Sequence, residues 1–128
     1  MFVTRDDRLI SYVGAIERDG LHNSHPERNG GVGDVMTHPD ARRKGMAPLG
    51  ISRAIELFGE RGQQFGLLLC DPSLLGYYAR LGWREFGGTL LTKQHQDTVE
   101  FTFNRVMVTD VTTPAPADGV IDLQGPPW

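Results

Sequence analysis

A single cysteine, Cys70, in 128 residues excludes an internal disulfide and any cysteine-rich zinc site. Long apolar runs are absent too: nothing approaches the roughly 18 residues of a membrane-spanning helix. The opening "MFVTRDDRL" lacks the basic-then-apolar order of a secretory leader. Positive charge is in deficit, with 13 Lys and Arg against 16 Asp and Glu and a net charge of −3. The broad basic surface of a nucleic-acid binder is therefore missing, and any anion must be caught locally. These absences point to a soluble, cytoplasmic domain that engages neither membrane nor nucleic acid. The length suits one domain with a real core.

What is present is a sequence of short apolar segments separated by turn formers. Phe2 to Arg5 and Leu9 to Ile16 read as a hairpin, and the polar stretch 17 to 31, "ERDGLHNSHPERNGG", reads as an exposed loop. Val32 to Thr37 is a strand candidate in which Gly33 marks a bulge or a close backbone approach. From Met46 to Arg61, Ala47, Ile51, Ala54, Ile55 and Phe58 recur at helical spacing up to Gly62. "FGLLLC", Phe65 to Cys70, has the continuous apolar character of a strand covered on both faces. Asp71 and Pro72 then open a short helix with a stripe of Leu74, Leu75, Tyr78 and Leu81, closed by Gly82. "WREF" and "VEFTFNRVMV" are strands, and the latter completes a domain over residues 1–108. The proline-rich tail, 109–128, is expected to be irregular and to pack on that domain through Val120 to Leu123. Helices in the middle and hairpins around them give an α/β class with a mixed sheet.

The chemistry concentrates in "DARRKGMAPLG", residues 40 to 50. The first amides of a helix lack intrahelical partners and carry the positive end of the macrodipole, so they attract phosphate. Gly45 lets the backbone approach closely, and Arg42, Arg43 and Lys44 can make charge-assisted bonds to phosphate oxygens. Neither a Walker loop nor a G-x-G-x-x-G fingerprint is present. A different binder of pyrophosphate is indicated.

"VMTHPDARRKGMA" places Arg42-x-x-Gly45-x-Ala47 between a strand and a helix, and "LLLCDPSLLGYYARLGW" follows with strand, tyrosine-bearing helix and Leu-Gly-aromatic. The pair resembles the two signatures of the GCN5-related N-acetyltransferase (GNAT) superfamily. The resemblance implies a GNAT-like acyl-CoA N-acyltransferase fold lacking the usual N-terminal strand and two helices. It implies acetyl-CoA as co-substrate with no metal, and transfer of acetyl to a primary amine of a small molecule by direct attack. The backbone of Val35, Met36 and Thr37 would hold the pantetheine arm, and the loop of Arg42, Arg43, Lys44, Gly45, Met46 and Ala47 the pyrophosphate. Pro48 removes one amide from that cradle. Tyr78 takes the general-acid position, with Tyr77 as the substitute. Phenol and thiol, near 10 and 8.5, are close enough for that proton transfer. For the base, the acceptor-facing positions Gly31, Gly33 and Val35 carry no carboxylate. Asp34 serves only if the strand bulges, with His38 or water as alternatives. Cys70 lacks a paired histidine and is expected to be inert. The absent N-terminal cover predicts a homodimer. A final Trp128 gives the tail a faint similarity to aminoglycoside 2′-N-acetyltransferases. The alternative implied by an incomplete acceptor side is a coenzyme-binding regulatory module without catalysis.

Overall fold

A computed structural model describes the backbone of residues 2–5, 8–37 and 46–127, and the side chains of 15–33 and 50–127. Its elements are β1 (Phe2–Arg5), β2 (Arg8–His22), β3 (His25–Thr37), α1 (Met46–Glu60), β4 (Phe65–Cys70), a 3-10 turn (Pro72–Leu74), α2 (Leu75–Arg80), β5 (Arg84–Glu85), β6 (Thr89–Gln94), β7 (Asp97–Glu100), β8 (Arg105–Asp110) and β9 (Val120–Asp122). Among the described residues the strands form one mixed sheet in the order β5-β8-β4-β3-β2-β9-β6-β7, with β1 also on β2.

β4 sits between β3, which is parallel to it, and β8, which is antiparallel. Its alternation feeds two cores. Leu68 and Cys70 join Val32, Ile51, Ala54, Phe58, Tyr78, Trp83 and Met107 beneath the helices. Phe65 and Leu67 join Phe86, Leu90, Val108, Ala115, Ile121 and Leu123 on the opposite face. That double coverage is why the segment is apolar at every position except Gly66. Ile51, Ala54 and Phe58 of α1 are buried while Ser52, Arg53, Glu56 and Glu60 are exposed, as the periodicity predicts. Gly62 and Gly82 end their helices at φ 74 and 94, backbone that favours glycine.

Residues 17 to 31 are a correction: they are the outer halves of β2 and β3, paired from Glu17↔Gly30 to His22↔His25. Asn23 and Ser24 make the two-residue turn with φ 50 and 68, whose twist matches that of the flanking strands. The glycines that read as loop are packing devices. A Cβ on Gly20 would meet Glu27 Oε1 at 2.6 Å and the Asp122 carbonyl at 2.7 Å, and one on Gly30 would fall within the Phe58 ring.

"VEFTFNRVMV" is likewise two strands rather than one. Asp97–Glu100 pairs with β6 across a turn at His95 and Gln96, φ 50 and 72, Phe101 N–H still donates to the Leu90 carbonyl at 2.8 Å, and Thr102 to Asn104 lead out of the ladder to β8. β6 and this hairpin are not evident in the sequence pattern. "WREF" contributes only Arg84 and Glu85 as strand. In the tail, Val120–Asp122 is a strand rather than irregular, parallel to β6 and antiparallel to β2. It is pinned by paired bonds of 2.8 Å, Asn23 N–H to the Val120 carbonyl and Val120 N–H to Asn23 Oδ1.

Glu27 and Asn29 are buried side by side on β3, with Asn29 Nδ2 donating to Glu27 Oε1 at 2.9 Å and Glu27 Oε2 unpartnered. Burial pushes the Glu27 carboxyl above its ordinary range, Asp19 adds to the rise, and the Asn29 bond and the His22 charge oppose it. A raised carboxyl binds its proton more tightly in the folded chain, so its contribution to stability is complete at low pH and is lost as pH rises through the folded value. Glu27→Gln should therefore raise the melting temperature at pH 8, and by less at pH 4. Thermal denaturation at the two pH values checks this.

Candidate active site

Parallel pairing of β3 with β4 runs from Asn29↔Phe65 to Val32↔Leu68 and stops. β3 nevertheless continues to Thr37, held by β2 at Met36↔Tyr12 and Thr37↔Ser11, while β4 continues to Cys70, held by β8 at Cys70↔Arg105. The two strands thus part company beyond Val32 and Leu68, leaving backbone amides and carbonyls of each without a ladder partner across the gap. Such a divergence can take a peptide-like arm by main-chain hydrogen bonds.

A second irregularity lies on the same strand. Gly14 opposes Gly33, but Tyr12 opposes Met36, so Asp34 and Val35 together face the single residue Val13. This is a bulge beside Gly33, and it breaks the strict alternation that sets position 34 out of phase with Gly31 and Gly33. Val35, Met36 and Thr37 lie on the diverging part of β3. Met46 and Ala47 open α1, with Pro48 in its first turn. Arg42, Arg43, Lys44, Gly45 and His38, and the side chain of Asp34, lie outside the described residues.

Tyr78 is buried, 7% exposed, in the same cluster as Val32, Leu68 and Cys70, which are the residues at the point of divergence. Asp71 caps the turn that brings it there, its carboxylate accepting the Ser73 N–H at 2.9 Å. That bond holds the Asp71 carboxyl below its usual range. Because Pro72–Leu74 is a 3-10 turn of three residues per turn rather than part of α2, the apolar stripe loses phase, and Leu74 is exposed instead of facing the core. Tyr77 packs edge-to-face on Tyr78, with centroids 5.0 Å apart at 81°. Burial, with help from Tyr77 and Cys70, pushes the Tyr78 hydroxyl up to about 12. Burial also raises the thiol of Cys70, with Glu85 and Asp71 adding to the effect. A thiol kept protonated is a poor nucleophile, in agreement with its unreactive reading. Among the described residues, no group of three His, Cys, Asp or Glu side chains is gathered as a metal site.

A mixed sheet whose central parallel pair splays between two helices defines the acyl-CoA N-acyltransferase class of fold. The acetyltransferase (GNAT) domain family model matches residues 1–86, and the chain belongs to that family. Solved structures agree on the fold. A GNAT family N-acetyltransferase from Escherichia coli in complex with CoA superposes with a TM-score of 0.66 at 17% identity, over 96% of this chain and 65% of its own. A GCN5-related N-acetyltransferase from Kribbella flavida gives 0.61 at 22% identity, over 69% of this chain and 22% of its own. An aminoglycoside 6′-N-acetyltransferase complexed with coenzyme A gives 0.64 at 14% identity, over 90% and 73%. The chain thus spans between about a fifth and three quarters of the length of these three structures. No curated protein matches it.

Glu27 and Asn29 were missed as a buried polar pair. Their alternation in "ERNGG" was the available signal, obscured by the turn-forming residues around them.

Proposed function

We propose that this chain transfers an acetyl group from acetyl-CoA to a primary amine of a small molecule, by direct attack within a ternary complex. The observation that carries the reading is the end of β3–β4 pairing at Val32 and Leu68, with Tyr78 in the same buried cluster. The pantetheine arm enters that gap along Val35, Met36 and Thr37, and the pyrophosphate rests on the Arg42 to Ala47 segment. The amine nitrogen attacks the thioester carbonyl, the new C–N bond forms and the C–S bond breaks. The proton of the attacking amine leaves through Asp34 or water. Sulfur gains its proton from Tyr78.

Burial alters the energetics of that last step. A phenol near 12 faces a thiol near 8.5, so transfer to a free thiolate would be uphill by about 5 kcal/mol. Tyr78 therefore acts while the C–S bond is still breaking, as a neutral donor aimed at the sulfur. The same shift keeps it protonated at every working pH and excludes it as the base. Titration with acetyl-CoA should raise thermal stability by mass action, and thiol release with a panel of primary amines tests turnover. Stabilisation by the coenzyme without thiol release would favour the regulatory module instead. Gly45→Glu should lower acetyl-CoA affinity at least tenfold through bulk and like charge, measured by calorimetry. Unchanged affinity would move the pyrophosphate elsewhere.

The expected homodimer rested on exposed apolar surface and an exposed strand edge of the sheet. One face of the sheet is closed by Phe86, Leu90, Ile121 and Leu123 from the C-terminal half, which favours the strand edges as the surface for a second copy. Sedimentation velocity decides it.

A further inference from the structure

The face of the sheet opposite the helices carries Ile16 and Arg18 of β2, paired with Gly31 and Asn29 of β3. Their side is fixed by neighbours: Asn29 and Gly31 pair with Phe65 and Leu67, which belong to the core on that face, whereas Gly30 lies under Phe58 of α1. On the helix side the point of divergence is filled by Val32, Leu68, Cys70 and Tyr78, all buried, whereas Gly33 and Leu69 on the opposite face are only half-buried, which favours approach of an acceptor from there. Ile16 is 36% exposed there, one step along the sheet from the point where β3 and β4 part.

The end of the chain borders the same ground. After β9, Asp122 Oδ1 accepts the Gln124 N–H at 2.8 Å, and Gln124 turns the chain at φ 57. Leu123 N–H donates to the Leu91 carbonyl at 3.0 Å and Lys93 N–H to the Gly125 carbonyl at 2.9 Å, fastening the segment along β6. Arg18 Nη1 then donates to the Pro126 carbonyl at 2.8 Å, and a Cβ on Gly125 would collide with the guanidinium. The strap is seated on β2 by a strand of its own sheet, by main-chain bonds and by a partly buried arginine. It also lies wholly beyond residues 1–86, the span matched by the family model.

We infer that residues 123–126, clamped by Arg18, form a wall of the acceptor pocket above Ile16 and Gly31 and limit the bulk of the amine that is accepted. This rests on the acetyltransferase reading given above. A compact primary amine fits between the strap and the divergence, and a fused aromatic amine does not.

The test uses the full chain, Arg18→Met, and a chain ending at Gln124, assayed by thiol release with primary amines graded from methylamine to naphthylmethylamine. Both variants should bind acetyl-CoA within twofold of the parent and raise kcat/KM for the bulkiest amine, relative to the smallest, by threefold or more. A ratio changed by less than threefold, with turnover intact, overturns the wall and leaves the acetyltransferase reading standing. Loss of coenzyme binding in both variants also overturns it, because the strap would then be part of the coenzyme-binding body. No thiol release from the parent with any amine overturns both readings.

Discussion

Replacing Gly30 with valine should lower the melting temperature by about 10 °C or more. Gly30 is buried in β3, paired with Glu17 on one side and Gly66 on the other, so its backbone cannot move away from α1 without breaking two ladders. Directly over it lies the ring of Phe58, 0% exposed, and a Cβ at position 30 would occupy the ring's own volume. Phe58 in turn is enclosed with Val32, Ala54 and Met107. Overpacking of that kind costs about 3 kcal/mol or more where neither partner can yield, against a total stability of roughly 5–15 kcal/mol. Circular dichroism on heating measures the loss. Gly30→Val combined with Phe58→Leu should regain part of it, since the smaller side chain frees space at the contact. A single valine variant as stable as the parent would mean that β3 and α1 do not pack in this way.

Tyr78→Phe should reduce kcat for thiol release about a hundredfold while leaving the dissociation constant of acetyl-CoA within twofold. The ring is retained, so its packing within the buried cluster survives and only the proton donor is lost. The substitution has a second signature. The hydroxyl is raised from 10 to about 12 by burial, so ionisation of the unfolded chain above pH 10 is not matched in the folded one. Stability from this group is complete below pH 10 and is lost as pH rises towards 12, and Tyr78→Phe should remove that part of the alkaline decline. Unaltered turnover in the variant would make Tyr78 a core residue, with no part in protonating sulfur.

The residues differed in how openly they announced their places. α1 and β4 were legible because a single physical demand set each pattern: one buried stripe for Ile51, Ala54 and Phe58, and two covered faces for Phe65 to Cys70. The bulge beside Gly33 followed from the same reasoning about where glycine stands in a strand. The outer halves of β2 and β3 were not legible, since Gly20, Gly30, Asn29 and Asn23 carry turn-former identities for reasons of close approach and hydrogen bonding to distant partners. β6 and β9 were hidden for a related reason. β9 pairs with β2 and β6 rather than with a neighbour in sequence, and a three-residue strand such as Val120–Asp122 gains its stability from Asn23 and Leu91, far away in the chain. At the site, the family resemblance supplied roles and the apolar stripe placed Tyr78 inside, while the divergence of β3 from β4 required three dimensions. The 3-10 turn that rotates Leu74 outward also escaped periodicity, because three residues at a different pitch leave no readable trace.

Amide hydrogen exchange across β3, with and without saturating acetyl-CoA, tests the coenzyme-arm claim most directly. Slowed exchange confined to Gly33–Thr37 and the start of α1 is the predicted result, because an arm lying in the gap covers amides that have no ladder partner on the β4 side. Saturable binding that leaves those amides exchanging at their original rate, with protection elsewhere, would contradict the account.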